Sequence, residues 1–439
     1  MIETETLKKI LLEKQFIRSE KIFERERILP KGDRIVAIIG PRRSGKTYYF
    51  FQIMEKLRAK ILNPAILYIN FEDERLFGLE TTDLDRIIET YFSIYPENKK
   101  IRTNFFFDEI QNAPNWQKFI RRLFDKENCN IYLSGSSAKL LGKEIATELR
   151  GRSFSVIILP LSFREYLKAQ GVTITETSHV DSNRFKIKKQ FETYLRDGGF
   201  PETVGVEEYN HRIMLQDYFE TVLFRDVIER FPTINPETAK YVFHNLANNF
   251  ARPFSVNKIY NQLKSLNRQI SKDTLYELVA QIENSMYYIF VPQYSDSFSI
   301  KSFSPKKTYL IDNGLPICLL GPNATDKSRL YENLVAVELI RRGYELTYLI
   351  GKEGECDFIA YSPVKKKYFA VQVTLEPQLE REMKGMDMAL KFLKLNENDG
   401  LILTEEEDKK AKTPMEHNVR VLPLWKWLLF PEGEEFSFS

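Results

Sequence analysis

Short, solidly apolar runs closed by small or polar residues alternate with longer mixed segments through the first third of the chain. Ile35–Ile39, Ala65–Phe71, Asn104–Asp108 and Ile131–Ser137 are such runs. Unbroken apolar stretches of this length are what parallel strands buried on both faces require. The segments between them, Tyr48–Leu57 among them, have helical length. This alternation predicts a doubly wound α/β sheet with ligands gathered at its carboxyl edge. From Arg164 to about Pro232 the pattern is helical, broken at Asp197-Gly198-Gly199-Phe200-Pro201-Glu202, a turn followed by a helix start. Residues 236 to about 315 have another texture. Two helices start at Ser255 and Ser271, and the strands Tyr287–Pro292 and Thr308–Ile311 flank a polar loop. Helix, turn, helix and a two-stranded wing is the order of a winged helix. Beyond about Lys327 the α/β pattern returns. It has the helix Tyr331–Ile340, strands Glu355–Ala360 and Tyr368–Thr374 joined by the basic turn Lys365–Lys367, a helix Glu380–Leu393 and the strand Gly400–Thr404.

The loop after the first strand carries the chemistry. Gly40-Pro41-Arg42-Arg43-Ser44-Gly45-Lys46-Thr47 fits the phosphate-binding pattern G-x-x-x-x-G-K-[ST], between a strand and a helix as the pattern needs. Loop amides and a helix N-terminus supply fixed positive charge for the oxygens of ATP. Lys46 would reach the β- and γ-phosphates, the Thr47 hydroxyl would coordinate Mg²⁺, and Tyr48 closes the cofactor-binding stretch. The strand Asn104-Phe105-Phe106-Phe107-Asp108-Glu109 ends in two carboxylates. Asp108 would hold the Mg²⁺ shell, and Glu109 would orient or deprotonate the attacking water. Ser134 or Ser136, ending the next strand, would sense the γ-phosphate.

Length, charge and cysteine count bound the rest. A chain of 439 residues needs two to four domains. The segments expected are an N-terminal helical stretch at 1–32, with Leu7, Ile10, Leu11 and Phe16 as packing stripe, a P-loop ATPase core at 33–163, a helical lid at 164–235, a winged helix at 236–318 and a second α/β domain at 325–431. The net charge of +3 confines any nucleic-acid binding to local patches. Arg268, Lys272, Lys301, Lys306 and Lys307 are the candidate contacts to DNA phosphates. Three scattered cysteines, at 129, 318 and 356, fit a reducing cytoplasm, and four histidines offer no zinc site. The acidic N-terminus has no apolar leader core, and no apolar run approaches membrane-spanning length, so no membrane partner is expected. The lysine and glutamate load with few glycines hints at a thermophile.

The whole chain resembles archaeal and bacterial AAA+ class ATPases whose C-terminal half is similar to a PD-(D/E)XK nuclease fold. The residues that carry this are Gly40–Thr47 with its paired arginines, Phe71-Glu72-Asp73-Glu74-Arg75-Leu76, Asp108-Glu109, Leu133-Ser134-Gly135-Ser136, Leu149-Arg150-Gly151-Arg152, Gly198-Gly199-Phe200-Pro201 and Tyr331-Glu332-Asn333. The resemblance implies ATP bound between neighbouring subunits of a homo-oligomer. It also implies an arginine finger, for which Arg150 and Arg152 stand in the expected place, and Arg225 in Phe224-Arg225-Asp226 is a candidate lid arginine. For the nuclease-like half it implies a metal site at Glu332 and Asp357. The second strand should then offer Asp or Glu, one residue, and Lys, but this chain has Gln372 and Thr374, on the face of Glu376. Lys384 on the next helix is a candidate for the missing ammonium. Three readings follow: an ATP-driven AAA+ machine that remodels or moves along DNA, an ATP-regulated endonuclease, and a nucleotide-dependent switch that binds proteins.

Overall fold

The computed structural model describes residues 2–13, 22–30, 32–61, 64–135, 149, 151–174, 183–295, 297, 304–321, 326–375, 379–406, 419–431 and 433. They divide into two compact units, Met1–Leu159 and Pro160–Ser439.

The first unit is a parallel sheet wrapped by helices. Its strands are β1 (Ile35–Ile39), β2 (Ile66–Asn70), β3 (Thr103–Asp108), β4 (Cys129–Gly135) and β5 (Ser153–Ile157). They lie in the order β2-β3-β4-β1-β5, and all four pairings are parallel. β1, β3 and most of β2 are buried throughout, as their unbroken apolar runs require. One face carries Phe105, Phe107 and Tyr91; the other carries Phe50, Phe106 and Tyr68. The N-terminal stripe seats as expected: Leu7, Ile10 and Leu11 of the helix Thr4–Glu13 are buried in the first of these cores. Phe16 lies outside the described residues. Residues 22–30 were expected to be helical and instead run without regular structure.

The second unit begins at Pro160, a few residues before the expected lid boundary. The helices Phe163–Ala169, Asn183–Asp197 and Glu208–Val222, in the segment expected to form the lid, belong to the same compact unit as everything that follows. The physical reason is shared burial, since Phe191 stacks edge-on against Tyr331 of the helix Lys327–Arg341 at 5.8 Å. A π-turn, Leu223–Ile228, follows the third helix. Next come the helix Pro236–Asn248, β6 (Arg252–Phe254), helices Val256–Ser265 and Lys272–Asn284, β7 (Tyr288–Val291) and β8 (Lys306–Leu310). β6, β8 and β7 form an antiparallel sheet in that order. The Ser271 hydroxyl caps its helix by accepting from the Thr274 amide, whereas Ser255 makes no side-chain cap bond.

The last segment is a five-stranded mixed sheet ordered β13-β12-β11-β10-β9. Its strands are β9 (Glu345–Ile350), β10 (Glu355–Ser362), β11 (Lys367–Val373), β12 (Gly400–Thr404) and β13 (Arg420–Pro423). β9, β10 and β11 pair antiparallel, then β12 and β13 add in parallel after the helix Leu379–Leu393.

The Gly198-Gly199 turn is fixed by a buried acid. Asp312 accepts the amide of Gly199 at 2.7 Å and that of Gly314 at 2.9 Å. Gly198 has φ +79°, and a Cβ there would lie 1.8 Å from an Asp312 oxygen. Gly198→Ala is therefore expected to cost about 2 kcal/mol or more, read as a lowered urea midpoint. Burial pushes the Asp312 carboxyl from 3.8 up to about 6, against the two amides that favour its charge. The native state thus binds this proton more tightly than the unfolded chain. Its contribution is full below about pH 4 and fades as pH rises towards about 6. Asp312→Asn should remove that slope, checked by unfolding midpoints of both proteins across this pH window.

Candidate functional site

The carboxyl ends of β1, β3 and β4 bring the phosphate loop and the acidic pair together. β4 lies between β1 and β3, with Ile39 opposite Gly135 and Phe107 opposite Leu133. Asp108 is fully buried. Its Oδ2 accepts the Thr47 hydroxyl at 2.7 Å and the Tyr68 hydroxyl at 2.9 Å, and its Oδ1 accepts the Ser134 hydroxyl. Burial, then the neighbouring Glu109, raises the Asp108 pKa, while the three hydroxyls oppose the rise. Burial and Asp108 likewise push the Tyr68 phenol up, so it stays a donor. Ser134 Oγ also accepts the Glu109 backbone amide at 3.0 Å, linking the end of β4 to the acidic pair. Glu109 sits at φ +50°, a conformation a non-glycine residue rarely adopts. Its carboxylate stands 3.6 Å from Lys46 Nζ and accepts from Gln111 Nε2. Lys46 also donates to the carbonyls of Gly40 at 3.2 Å and Pro41 at 3.1 Å.

The loop itself is tightly drawn. A Cβ on Gly40 would stand 2.0 Å from the Ile158 carbonyl oxygen, so only glycine fits. Arg43 at φ +65° and Gly45 at φ +91° turn the chain into the helix Lys46–Lys60. Arg42 pairs with Glu72 at 3.3 Å. Pro41 is buried, Arg43 exposed, and Tyr48 is 43% exposed with its ring edge-on to Phe51. The buried Ser44 hydroxyl has no hydrogen-bond partner. An orphaned donor, a loop drawn in where only glycine fits and a buried carboxylate met only by neutral hydroxyls fit a phosphate–cation pair. Thr47 and Asp108 are the residues that would hold Mg²⁺.

Two residues here were not singled out from sequence. Tyr68 carried no signal beyond its place on an apolar strand. Arg25 carried none, because it lies in an irregular polar stretch. It is nonetheless buried, donating to the Ser44 carbonyl at 3.0 Å and to the Leu159 carbonyl. Its own backbone is clamped by Gln52, which accepts the Arg25 amide at 2.9 Å and donates to the Arg25 carbonyl at 3.1 Å.

Arg152 immediately precedes β5, whose first residue pairs with Ile35 at the start of β1. It is therefore at the amino edge of the sheet, about 16 Å of strand from the loop at roughly 3.3 Å per residue. There it pairs with Asp125 at 3.2 Å. Arg150, Ser136, Lys301 and Glu376 lie outside the described residues. Arg225 is exposed and pairs with Glu229 at 3.0 Å in its own turn.

The expected DNA contacts divide. Lys272 is exposed above the Tyr260 ring, and Lys306 is half-buried beside Phe290. Arg268 donates to the Glu237 carbonyl at 2.6 Å and lies over Tyr241. Lys307 is not a surface contact, because it points inward and is buried. Its ammonium lies among Glu332, Glu355 and Asp357. Burial opposes its charge, but Asp357, then Glu332 and Glu355, raise its pKa above the ordinary lysine value. Glu332, Asp357 and Gln372 do come together, with Gln372 Oε1 accepting the Asp357 amide at 3.1 Å. Lys384 is exposed, and Lys307 supplies the ammonium instead. Alternation on β8 puts Lys307 and Tyr309 on one face, but nothing in the local sequence says that this face meets acids.

Residues 32–167 match the model of an AAA domain, and residues 188–326 match a domain of unknown function. The chain belongs to the family of the uncharacterized protein MJ1544 of Methanocaldococcus jannaschii, being 35% identical to it over 437 residues that cover 96% of each chain. A Haemophilus influenzae protein is 32% identical over 348 residues, 78% of this chain and 83% of that one. Among solved structures, the Aeropyrum pernix ORC1 protein aligns over 70% of this chain and 88% of that one at 12% identity, with a TM-score of 0.28. Cdc6p of Pyrobaculum aerophilum aligns over 58% and 80% at 11% identity, with a TM-score of 0.24. The sheet, the loop and the AAA match define a P-loop protein of the AAA+ class.

Arg25 generates a prediction separable from the catalytic groups. Arg25→Met removes both carbonyl contacts but no phosphate ligand. ATP binding should weaken about tenfold, roughly 1.4 kcal/mol, read by isothermal titration, while the urea midpoint changes little by comparison.

Proposed function

We propose that this protein is a Mg²⁺-dependent AAA+ ATPase that assembles into oligomers and acts on DNA. The observation that carries the reading is the buried Asp108 carboxylate beside Lys46, Thr47 and Glu109, at the mouth of a loop fitted for phosphate. Lys46 would exchange the Gly40 and Pro41 carbonyls for phosphate oxygens, a stronger charge-assisted pairing. Mg²⁺ held by Thr47 and Asp108 would neutralise charge on the transferring phosphate. Glu109 would take the proton of the attacking water or orient it, and Ser134 would couple the acidic pair to the state of the phosphate.

Arg152 at the opposite edge of the sheet cannot serve its own loop, which supports action on a neighbouring copy and hence a homo-oligomer. DNA is supported by the module at 236–318. Helix, strand, two helices and two strands, with β6 joined to β8, is the order of a winged helix. Exposed Lys272 and half-buried Arg268 and Lys306 are its described candidates for phosphate contact. The final helix, three antiparallel strands, helix and parallel strand support a nuclease-like fold for 325–431. Three free, buried cysteines suit a reducing cytoplasm, and among the described residues no helix is long and apolar enough to cross a membrane.

The test is steady-state ATP hydrolysis with Mg²⁺, with and without duplex, single-stranded and four-way-junction DNA, at two salt concentrations. Hydrolysis should rise with one DNA form, and the rise should shrink steeply with salt through counterion release. Lys46→Ala and Glu109→Gln should each lower turnover at least about a hundredfold. Arg152→Ala should do the same with ATP affinity kept, and mixing it with Glu109→Gln should restore part of the activity. Full turnover in Lys46→Ala would remove the loop assignment. Hydrolysis indifferent to every DNA form would favour a switch that binds proteins. Failure to complement would place the finger elsewhere.

A further inference from the structure

Glu332, Glu355 and Asp357 face one point in the second unit, and an ammonium of the same chain holds it. Lys307 comes from β8 of the three-stranded sheet, whereas Glu355 and Asp357 come from β10 of the five-stranded one. Lys307 Nζ lies 2.8 Å from Glu332, 2.5 Å from Glu355 and 3.2 Å from Asp357, with its side chain 5% exposed. The contacts to Glu332 and Asp357 are hydrogen bonds, and the contact to Glu355 is an ion pair.

Other polar groups of the site make further hydrogen bonds. Glu332 Oε1, which takes Lys307, also accepts the Tyr309 hydroxyl at 2.7 Å. Asp357 Oδ2 accepts the Val373 amide at 3.0 Å. Gln372 spends its carbonyl on the Asp357 amide, and its Nε2 donates to Glu382. A divalent cation needs several such oxygens at about 2.0–2.6 Å from a common centre, and the ammonium occupies that centre. Among the described residues, no group of three or more His, Cys, Asp or Glu side chains is arranged to hold a metal ion. The metal of the nuclease-like resemblance therefore does not fit these residues.

We infer that Lys307 is the resident cation of this carboxylate site. It stands where a nuclease would bind metal, closes the site to divalent ions and ties the three-stranded module to the five-stranded sheet through charge. The inference does not depend on ATP hydrolysis or on DNA as partner. Burial and Asp357 raise the Glu332 pKa, with Lys307 and Tyr309 opposing.

The experiment uses the full chain without nucleotide, and the probe is Mn²⁺ alone. Thermal unfolding is followed across a Mn²⁺ titration for the wild type, Asp357→Asn, Lys307→Met and the double variant. The wild type and Asp357→Asn should respond identically. Lys307→Met should melt lower than the wild type and then regain a few degrees with Mn²⁺, a gain the double variant loses. Two results would overturn the inference. One is a wild-type Mn²⁺ response, or Mn²⁺-dependent DNA cleavage, that Asp357→Asn abolishes. The other is a folded Lys307→Met protein that ignores Mn²⁺. If Lys307→Met does not fold, the wild-type and Asp357→Asn titrations decide the question between them.

Discussion

A carboxylate taken out of water must be matched by donors or by a cation, because an unmatched buried charge costs more than a small domain can supply. Three of the described sites meet that constraint in different ways. Asp312 is met by two backbone amides and fixes a turn. Glu332 and Asp357 are met by a lysine of the same chain. Asp108 is met by three hydroxyls, which are neutral.

The difference sets what each site can do. Hydroxyls orient a carboxylate without supplying a counter-charge, so under the proposed function Asp108 would be matched by a cation arriving with the nucleotide. The ammonium of Lys307 answers the same demand permanently. The first arrangement suits a site that cycles between loaded and empty, and the second suits a fixed joint. An acidic cluster is therefore not by itself a metal site; what distinguishes the two is whether the chain has already supplied the counter-charge.

Close backbone approach governs the nucleotide loop in the same way. Gly40 lies against the Ile158 carbonyl where no side chain fits. Arg25 then ties the Ser44 and Leu159 carbonyls together from an otherwise irregular segment. The loop is thus shaped before any phosphate arrives, which lowers the ordering cost of binding.

Motifs whose parts are contiguous were legible in the sequence: the phosphate loop, the Asp108-Glu109 strand end, the parallel sheet that brings them together, and the helix and strand order of the later modules. Local pattern suffices there because strand burial and loop geometry are set by neighbours along the chain. Residues that act through another element were not legible. Arg25, Tyr68 and Asp312 each find their partner across a long stretch of sequence. Lys307 was read as a surface base because alternation gives the face of a strand but not what that face meets. Its partners Glu332 and Asp357 lie 25 and 50 residues away, and only the packing of two sheets in one compact unit made a DNA-contact candidate into an internal counter-ion.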